Sequence, residues 1–357
     1  MTVDFTSIPI IDLVEANNPV TKPQVLENLR HVLLNVGFLY ISNHGVPEQS
    51  IQDLVKALPT LFNLTKKEKE EVALHNSPQF LGYSGTGTET TAGKADSREQ
   101  FEFATELKDD WIEGQLLAER LKGPNQACLI ALWPSAYPSL RPIVEAYIAS
   151  LTHLSERFLA LVAEALSLPS QTFMPFLSDQ HRLKLVHYPE SEEGGQGVGP
   201  HKDSSGWWTF LLQASPPHVK GLQVLNRRGD WIDVPNVPGT FVVNIGQGFE
   251  VVTNGVCKAT THRVLSGPDE RFSVPFFQGL RRSLTKEEAT GQLREHFEQV
   301  ELSGTDESDE GRQIDSAFLR GRYDTWGESQ LRTKIRSHPD VGRKFYGDAF
   351  DEYFHEK

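Results

Sequence analysis

The segment from Leu183 to Gln278 decides the fold: L-K-L-V-H-Y (183–188), W-W-T-F-L-L-Q (207–213), G-L-Q-V-L (221–225), D-W-I-D-V (230–234), T-F-V-V-N-I (240–245), F-E-V-V (249–252), K-A-T-T-H-R-V (258–264) and R-F-S-V-P-F-F-Q (271–278). Each is a short run rich in β-branched and aromatic residues. Turn signals separate them, among them Arg228-Gly229-Asp230, Pro238-Gly239, Asn254-Gly255 and Gly267-Pro268-Asp269. Eight short strands at regular spacing predict a sandwich or barrel, and a double-sheet jelly roll has that number of strands.

Inside this segment lies a chemical pattern. G-P-H-K-D-S (Gly199 to Ser204) supplies H-x-D, and T-H-R-V supplies a second histidine after 58 intervening residues. R-x-S follows at Arg271 and Ser273. Residues two apart on a strand project from one face, so His201 and Asp203 are expected side by side. His262 joins them only if the sheet folds back. Two imidazoles and one carboxylate leave open positions on a metal, the set expected of Fe(II) that must also take up O2. Zn(II) is the chemical rival for three such ligands. Arg271 and Ser273 share a strand face. An arginine fork takes a carboxylate through two parallel hydrogen bonds, and a serine hydroxyl adds a third. H-x-D alone is a common accident; the clamp, the strands and their order together are not.

Outward from this core the texture is helical. Val25, Leu29, Val32, Leu33 and Val36 form one apolar stripe over residues 23–36, which Gly37 ends. Gly37 to Gly45 reads as a strand entering a turn, with His44 structural. A second helix is expected from Glu48 to about Asn63, and Lys66 to Glu71 is a solvated charge run. Ile143 to Leu166 carries the longest stripe. Gly82 to Lys94, rich in glycine and hydroxyl residues, reads as a loop. Its A-G-K end is no phosphate-binding motif, because Ala95 follows Lys94. A long polar loop is usually functional or mobile, and Glu89, Thr90 and Thr91 are its candidate substrate contacts. Leu107 to Pro142 reads as irregular. After Arg281 the pattern turns helical again, with an acidic, anchor-free surface insertion at 301–313. The expected organisation is a helical region over 1–180, the jelly-roll core over 181–285 and a helical region over 286–357, forming one structural unit. The class is mainly β with flanking helices.

Composition narrows the partners. The 357 residues are 38% hydrophobic and 23% charged, enough for a large core. A net charge of −13 without a basic stripe speaks against nucleic acid. The N-terminus does not read as a signal peptide, and no run approaches the ~18 apolar residues of a membrane span. Cys128 and Cys257 make no framework and read as two thiols of a reducing compartment. The expectation is a cytoplasmic protein with a small-molecule substrate and no evident obligate protein partner.

G-P-H-K-D, T-F-V-V-N-I-G, T-N-G-V-C-K-A-T-T-H-R-V and R-F-S-V-P-F-F, with I-P-I-I-D-L and N-V-G-F-L-Y-I-S-N-H-G-V upstream, resemble the iron- and 2-oxoglutarate-dependent oxygenases of the isopenicillin N synthase-like superfamily. The resemblance covers roughly residues 7–280. It implies a cupin-like double-stranded β-helix with Fe(II) on His201, Asp203 and His262. It also implies 2-oxoglutarate on that iron, its far carboxylate at Arg271 and Ser273 with Tyr188 of L-V-H-Y-P nearby. O2 would then couple decarboxylation of 2-oxoglutarate to hydroxylation, desaturation or ring chemistry on a small molecule, such as a secondary metabolite. Lys202, Gln247 and the bulky Trp207-Trp208 depart from the family pattern and bear on the substrate. Lys184 could pair a substrate anion, while His187 reads as structural. G-T-E-T-T-A-G-K-A-D is similar to a substrate-contacting loop of fungal members and of the bacterial ethylene-forming enzyme. That likeness implies Glu89 and Thr91 against a basic group such as a guanidinium, with Arg336 of I-R-S-H-P-D on the substrate side. Ethylene formation with arginine, an iron oxidase that does without 2-oxoglutarate, and a non-catalytic jelly-roll binding protein remain open alternatives.

Overall fold

The computed structural model describes residues 4–91, 93–106, 133–192, 194–204, 206–300 and 314–355. Most of the irregular Leu107 to Pro142 stretch, Cys128 and the acidic 301–313 insertion lie outside them.

Fourteen described strands carry the fold: β1 (Ile10–Asp12), β2 (Phe38–Ser42), β3 (Gly82–Ser84), β4 (Thr90–Thr91), β5 (Lys94–Ala95), β6 (Glu99–Ala104), β7 (Arg182–Tyr188), β8 (Gly195–His201), β9 (Trp208–Gln213), β10 (Leu222–Leu225), β11 (Trp231–Asp233), β12 (Thr240–Ile245), β13 (His262–Ser266) and β14 (Arg271–Gln278). A major sheet runs β1-β2-β12-β9-β14-β7-β6-β3, and a minor sheet runs β11-β10-β13-β8. Among the described pairs only β1 with β2 is parallel. The small β4-β5 hairpin stands apart. Two sheets facing each other across an internal cavity make the expected double-stranded β-helix.

The major sheet ignores the 180/181 boundary. β1, β2, β3 and β6, all from the first 180 residues, flank the four core strands. The helical region therefore does more than cover the core; it completes the sheet. The helix Lys22–Asn35 turns into β2 at Gly37, whose φ of +72° is one that side-chain-bearing residues rarely adopt. The helix Leu140–Ala165 lies against both the Lys22–Asn35 and Glu48–Phe62 helices and against β9 and β14. Its Phe158 meets Trp208 and Phe210 edge-on at 5.4 and 5.8 Å. Trp207 packs among Phe173, Phe176 and Phe249. The two tryptophans are thus fully buried core residues and do not line the cavity.

Local expectations need correction, beginning with Gly82 to Lys94, which reads as a loop but holds β3, β4 and the first residue of β5. F-E-V-V is no strand: Gln247–Val252 is a helix that begins after Gly246, with Phe249, Val251 and Val252 all buried. Periodicity cannot separate a short buried helix from a buried strand when every face is apolar. Residues 258–261 are irregular, and β13 starts only at His262. Conversely, the glycine-rich Gly195–His201 forms β8, which composition hides because glycine is depleted in strands generally.

Candidate active site

Antiparallel pairing of β13 with β8 sets His262 directly opposite His201. Their rings lie 4.2 Å apart between centroids. Asp203 does not share the strand with His201, as alternation predicts; it sits in the turn after β8, held by the Gln247 N–H donating to its carbonyl at 2.8 Å. The turn still delivers its carboxylate. Asp203 Oδ1 is 3.7 Å from His201 Nε2 and 3.7 Å from His262 Nε2, and one ligand atom from each residue falls within 4.8 Å of the others.

Surrounding groups orient all three. His201 Nδ1 lies 2.8 Å from the Gly199 carbonyl oxygen and His262 Nδ1 3.2 Å from that of Thr260. Each Nδ1 must then carry the proton, which assigns the tautomer and leaves both Nε2 lone pairs facing inward. Asp203 Oδ2 accepts from Thr209 Oγ1 at 2.6 Å and from Asn244 Nδ2 at 2.7 Å, so Oδ1 stays available. Burial, reinforced by neighbouring His262, pushes the His201 imidazole down to about 3. Burial pushes the Asp203 carboxyl up, but His262, His201 and the two hydrogen bonds outweigh it and hold it below its ordinary value. Two imidazoles anchored through Nδ1 and an ionised carboxylate, converging on one point, are the donor set a ferrous ion takes.

The triad opens onto a cavity of about 190 Å³ between the sheets, with Phe38, Val198, Leu211, Leu222 and Val264 as apolar walls. Arg271 projects into it beside Tyr188, 3% exposed, and neither Nη makes a well-formed hydrogen bond to the protein. Its guanidinium stands 4.9 Å from the Tyr188 ring centroid, and Ser273 follows on the same face of β14. A buried guanidinium with both Nη atoms unsatisfied costs free energy unless a ligand completes it. A carboxylate does so with matching geometry.

Lys184 also lines the cavity, at the end away from Arg271, as do Glu102, Arg182 and Lys334, whereas Arg98 lines it beside Tyr188. Lys202 lines it too and reaches buried Glu250 at 3.4 Å. Gln247 turns away, donating to the Asp315 carbonyl at 2.8 Å. His187 is turned toward Glu99, at 2.8 Å, and does not line the cavity. His44 is structural as expected, its Nδ1 accepting from the Val46 N–H.

The substrate contacts expected on the polar loop do not reach the cavity. Glu89 lies behind its wall, 2.6 Å from Arg98 and 2.8 Å from Gln100 Nε2, with its carboxylate already occupied. Thr90 is exposed, and Thr91 donates to Asp96 at 2.7 Å. Arg336 is on the exposed side of the helix Trp326–Ser337; two residues earlier on that helix, Lys334 faces inward. Thr209 and Asn244 also escaped the sequence reading, although each is the one polar residue in the interior of its strand. A polar side chain in such a run is a signal in itself, because burial demands a partner for it.

With this geometry in view, the comparisons with known proteins agree on a class. Residues 8–129 match the non-haem dioxygenase N-terminal family and residues 180–279 the 2OG-Fe(II) oxygenase superfamily. The chain belongs to the Fe(II)- and 2-oxoglutarate-dependent oxygenases. Among its relatives, the 2-oxoglutarate-dependent dioxygenase frbJ of Dothideomycetidae sp. is 43% identical over 96% of this chain and 93% of its own. A 2-oxoglutarate-dependent dioxygenase of Gibberella zeae is 33% identical over 98% and 93%. The crystal structure of a full-length Neurospora crassa protein in complex with alpha-KG and 5-formyluracil shares the fold, with a TM-score of 0.66 at 20% identity, covering 98% of this chain and 96% of that one. The protein is therefore an oxidoreductase that uses Fe(II), 2-oxoglutarate and O2 on a small molecule. These relatives favour that activity over ethylene formation, an iron oxidase without 2-oxoglutarate and a non-catalytic binding protein. Among the described residues no helix is long and apolar enough to cross a membrane.

Proposed function

We propose that His201, Asp203 and His262 hold the iron and that Arg271 and Ser273, beside Tyr188, hold the far carboxylate of 2-oxoglutarate. When bound, iron and co-substrate supply the oxidising power, with O2 consumed, CO2 and succinate released and a C–H bond of the small molecule oxidised. The chain's own part is positional. The Gly199 and Thr260 carbonyls fix the imidazole tautomers, and Thr209 with Asn244 aims one oxygen of Asp203. Phe38, Val198, Leu211, Leu222 and Val264 give the cavity shared by triad and guanidinium its apolar walls. The observation that carries the assignment is Arg271: a buried fork with both Nη atoms unsatisfied, opening into the same cavity as the triad.

Anaerobic protein mixed with Fe(II) and then 2-oxoglutarate is expected to develop a weak visible charge-transfer band, and to form succinate once air is admitted. Loss of the band in His262→Ala, with the fold retained, supports the triad. A band of undiminished strength in that variant removes His262 from it.

A further inference from the structure

At the other end of the cavity from Arg271 lies a second concentration of charge. Along β7, alternation turns Arg182, Lys184, Val186 and Tyr188 to the cavity side. Register with β14 puts Tyr188 opposite Arg271 and Arg182 opposite Phe277, six residues further along. At the rise of a strand, Lys184 is about 13 Å and Arg182 about 20 Å from the Arg271 end. A five-carbon diacid anchored at Arg271 does not bridge that distance.

Three cations converge there on one carboxylate. Glu102, whose side chain is 1% exposed, sits opposite Lys184 across the β6/β7 ladder. Lys334 Nζ is 3.2 Å from it, Lys184 Nζ 3.7 Å, and Arg182 Nη1 makes a short contact with Oε1. Behind the wall, Glu89 pairs with Arg98 at 2.6 Å and lies 3.8 Å from Lys184; Asp96 is 3.3 Å from Arg98. Arg98 stands beside Tyr188 and answers Asp96, so at this end the three cations Arg182, Lys184 and Lys334 outnumber the two carboxylates Glu89 and Glu102. On the cavity face at this end Glu102 is the single carboxylate among the described residues that meets the three. Burial brings the Lys334 ammonium down to about 8, Glu102 opposing that and Arg182 and Lys184 adding to it. A low-dielectric site with surplus positive charge is completed by an anion.

We propose that Lys184, Lys334 and Arg182 form an anion anchor for the molecule that is oxidised, so that this substrate carries a carboxylate, phosphate or phosphonate group. The proposal rests on the assignment of Arg271 to 2-oxoglutarate, which leaves this second anchor for the other reactant. A basic substrate group is a poor fit. Glu89 is enclosed by Arg98, Gln100 and Lys184 away from the cavity, and Glu102 is already shared among three cations. The anchor ties the substrate's acidic end to the helix Trp326–Ser337, whose Gln330 Nε2 also donates to the Ser204 carbonyl beside the triad at 3.0 Å.

The test uses the full chain loaded anaerobically with Fe(II) and 2-oxoglutarate, so that Arg271 is occupied, in chloride-poor buffer. Methylphosphonate, acetate, acetamide and methylammonium are titrated separately, and the thermal midpoint and the charge-transfer band are followed. The expected result is that an anion raises the midpoint and perturbs the band while acetamide and methylammonium do neither. Whether acetate or methylphosphonate is the stronger tells an organic acid from a phosphoryl-bearing substrate. Lys334→Met is expected to weaken the anion response at least tenfold and to keep the 2-oxoglutarate band; Lys184→Met replaces it should that variant not fold. No anion response in the wild type, an equal response in the variant, or a response to methylammonium overturns the anchor. Should the band itself not form, the metal assignment falls, and the wild-type-to-variant difference in anion-induced midpoint still decides the anchor.

Discussion

Asn244 Nδ2 donates to Asp203 Oδ2 at 2.7 Å, from the middle of an apolar strand to a carboxylate in a turn 41 residues earlier in the chain. The bond crosses from β12 to the end of β8 and determines which oxygen of Asp203 faces the two imidazoles. Asn244→Ala is therefore expected to weaken Fe(II) binding about 10- to 100-fold, the usual cost of losing a group that orients a metal ligand. Anaerobic competition against a chromogenic chelator measures it. Wild-type affinity in this variant would show that the turn alone holds Asp203.

Arg271→Lys replaces a planar fork by a point charge in a site where neither Nη makes a well-formed hydrogen bond to the protein. The concentration of 2-oxoglutarate needed for half-maximal succinate formation is expected to rise roughly ten- to a hundredfold. Ser273→Ala, losing one hydrogen bond, is expected to raise it only about two- to tenfold. Equal effects of the two substitutions would contradict the assigned division of labour.

Glu89 makes an acid-dependent contribution to stability. Burial pushes its carboxyl up, yet Lys184 and Arg98 hold it down to about 2 from an ordinary 4.5. A folded-state value below the unfolded one stabilises the protein above about pH 4.5, and that stability is lost as pH falls toward 2. Glu89→Gln should thus lower the thermal midpoint at pH 7 and differ progressively less from the wild type between pH 5 and pH 2. A gap that stays constant with pH would mean that the loss is steric.

Gly37 joins the first long helix to β2 at φ +72°, and a Cβ there would lie 2.4 Å from Thr260 Oγ1 and 2.6 Å from the Lys258 carbonyl oxygen. Gly37→Ala meets both backbone strain and overlap with fixed main chain, and is expected to cost about 2–4 kcal/mol in denaturant unfolding. Because Thr260 precedes His262 by two residues, iron affinity should fall with it. A stability unchanged within error would show that the turn relaxes freely.

The jelly roll was legible in its alternating strands, and H-x-D and R-x-S marked side chains that the structure gathers around one cavity, His201, Asp203 and Arg271. The features the residue pattern hid depend on three-dimensional neighbours. His201 and Asp203 were expected on one strand, yet the carboxylate comes from the following turn, whose path is set by a backbone bond to Gln247. Arg336 and Lys334 are two residues apart on one helix, so only the packing of that helix decides which of them enters the cavity. Glu89 looked like an open acid on a glycine-rich loop, but the β6/β7 ladder brings basic partners to it from behind. F-E-V-V became a helix because a buried segment displays no polar face from which its period can be read.

The interleaving of early and late strands has a consequence for biosynthesis. β2 hydrogen-bonds to β12, pairing Phe38 with Asn244 across about 200 residues of chain. At roughly 5–20 residues per second, the apolar F-L-Y-I segment, with only the short β1 beside it, is made about 10–40 s before its β12 neighbour exists. During that interval an uncovered strand edge is open to wrong partners. The nascent protein must be shielded until translation has passed residue 245, and fragments that stop short of it should accumulate as aggregates.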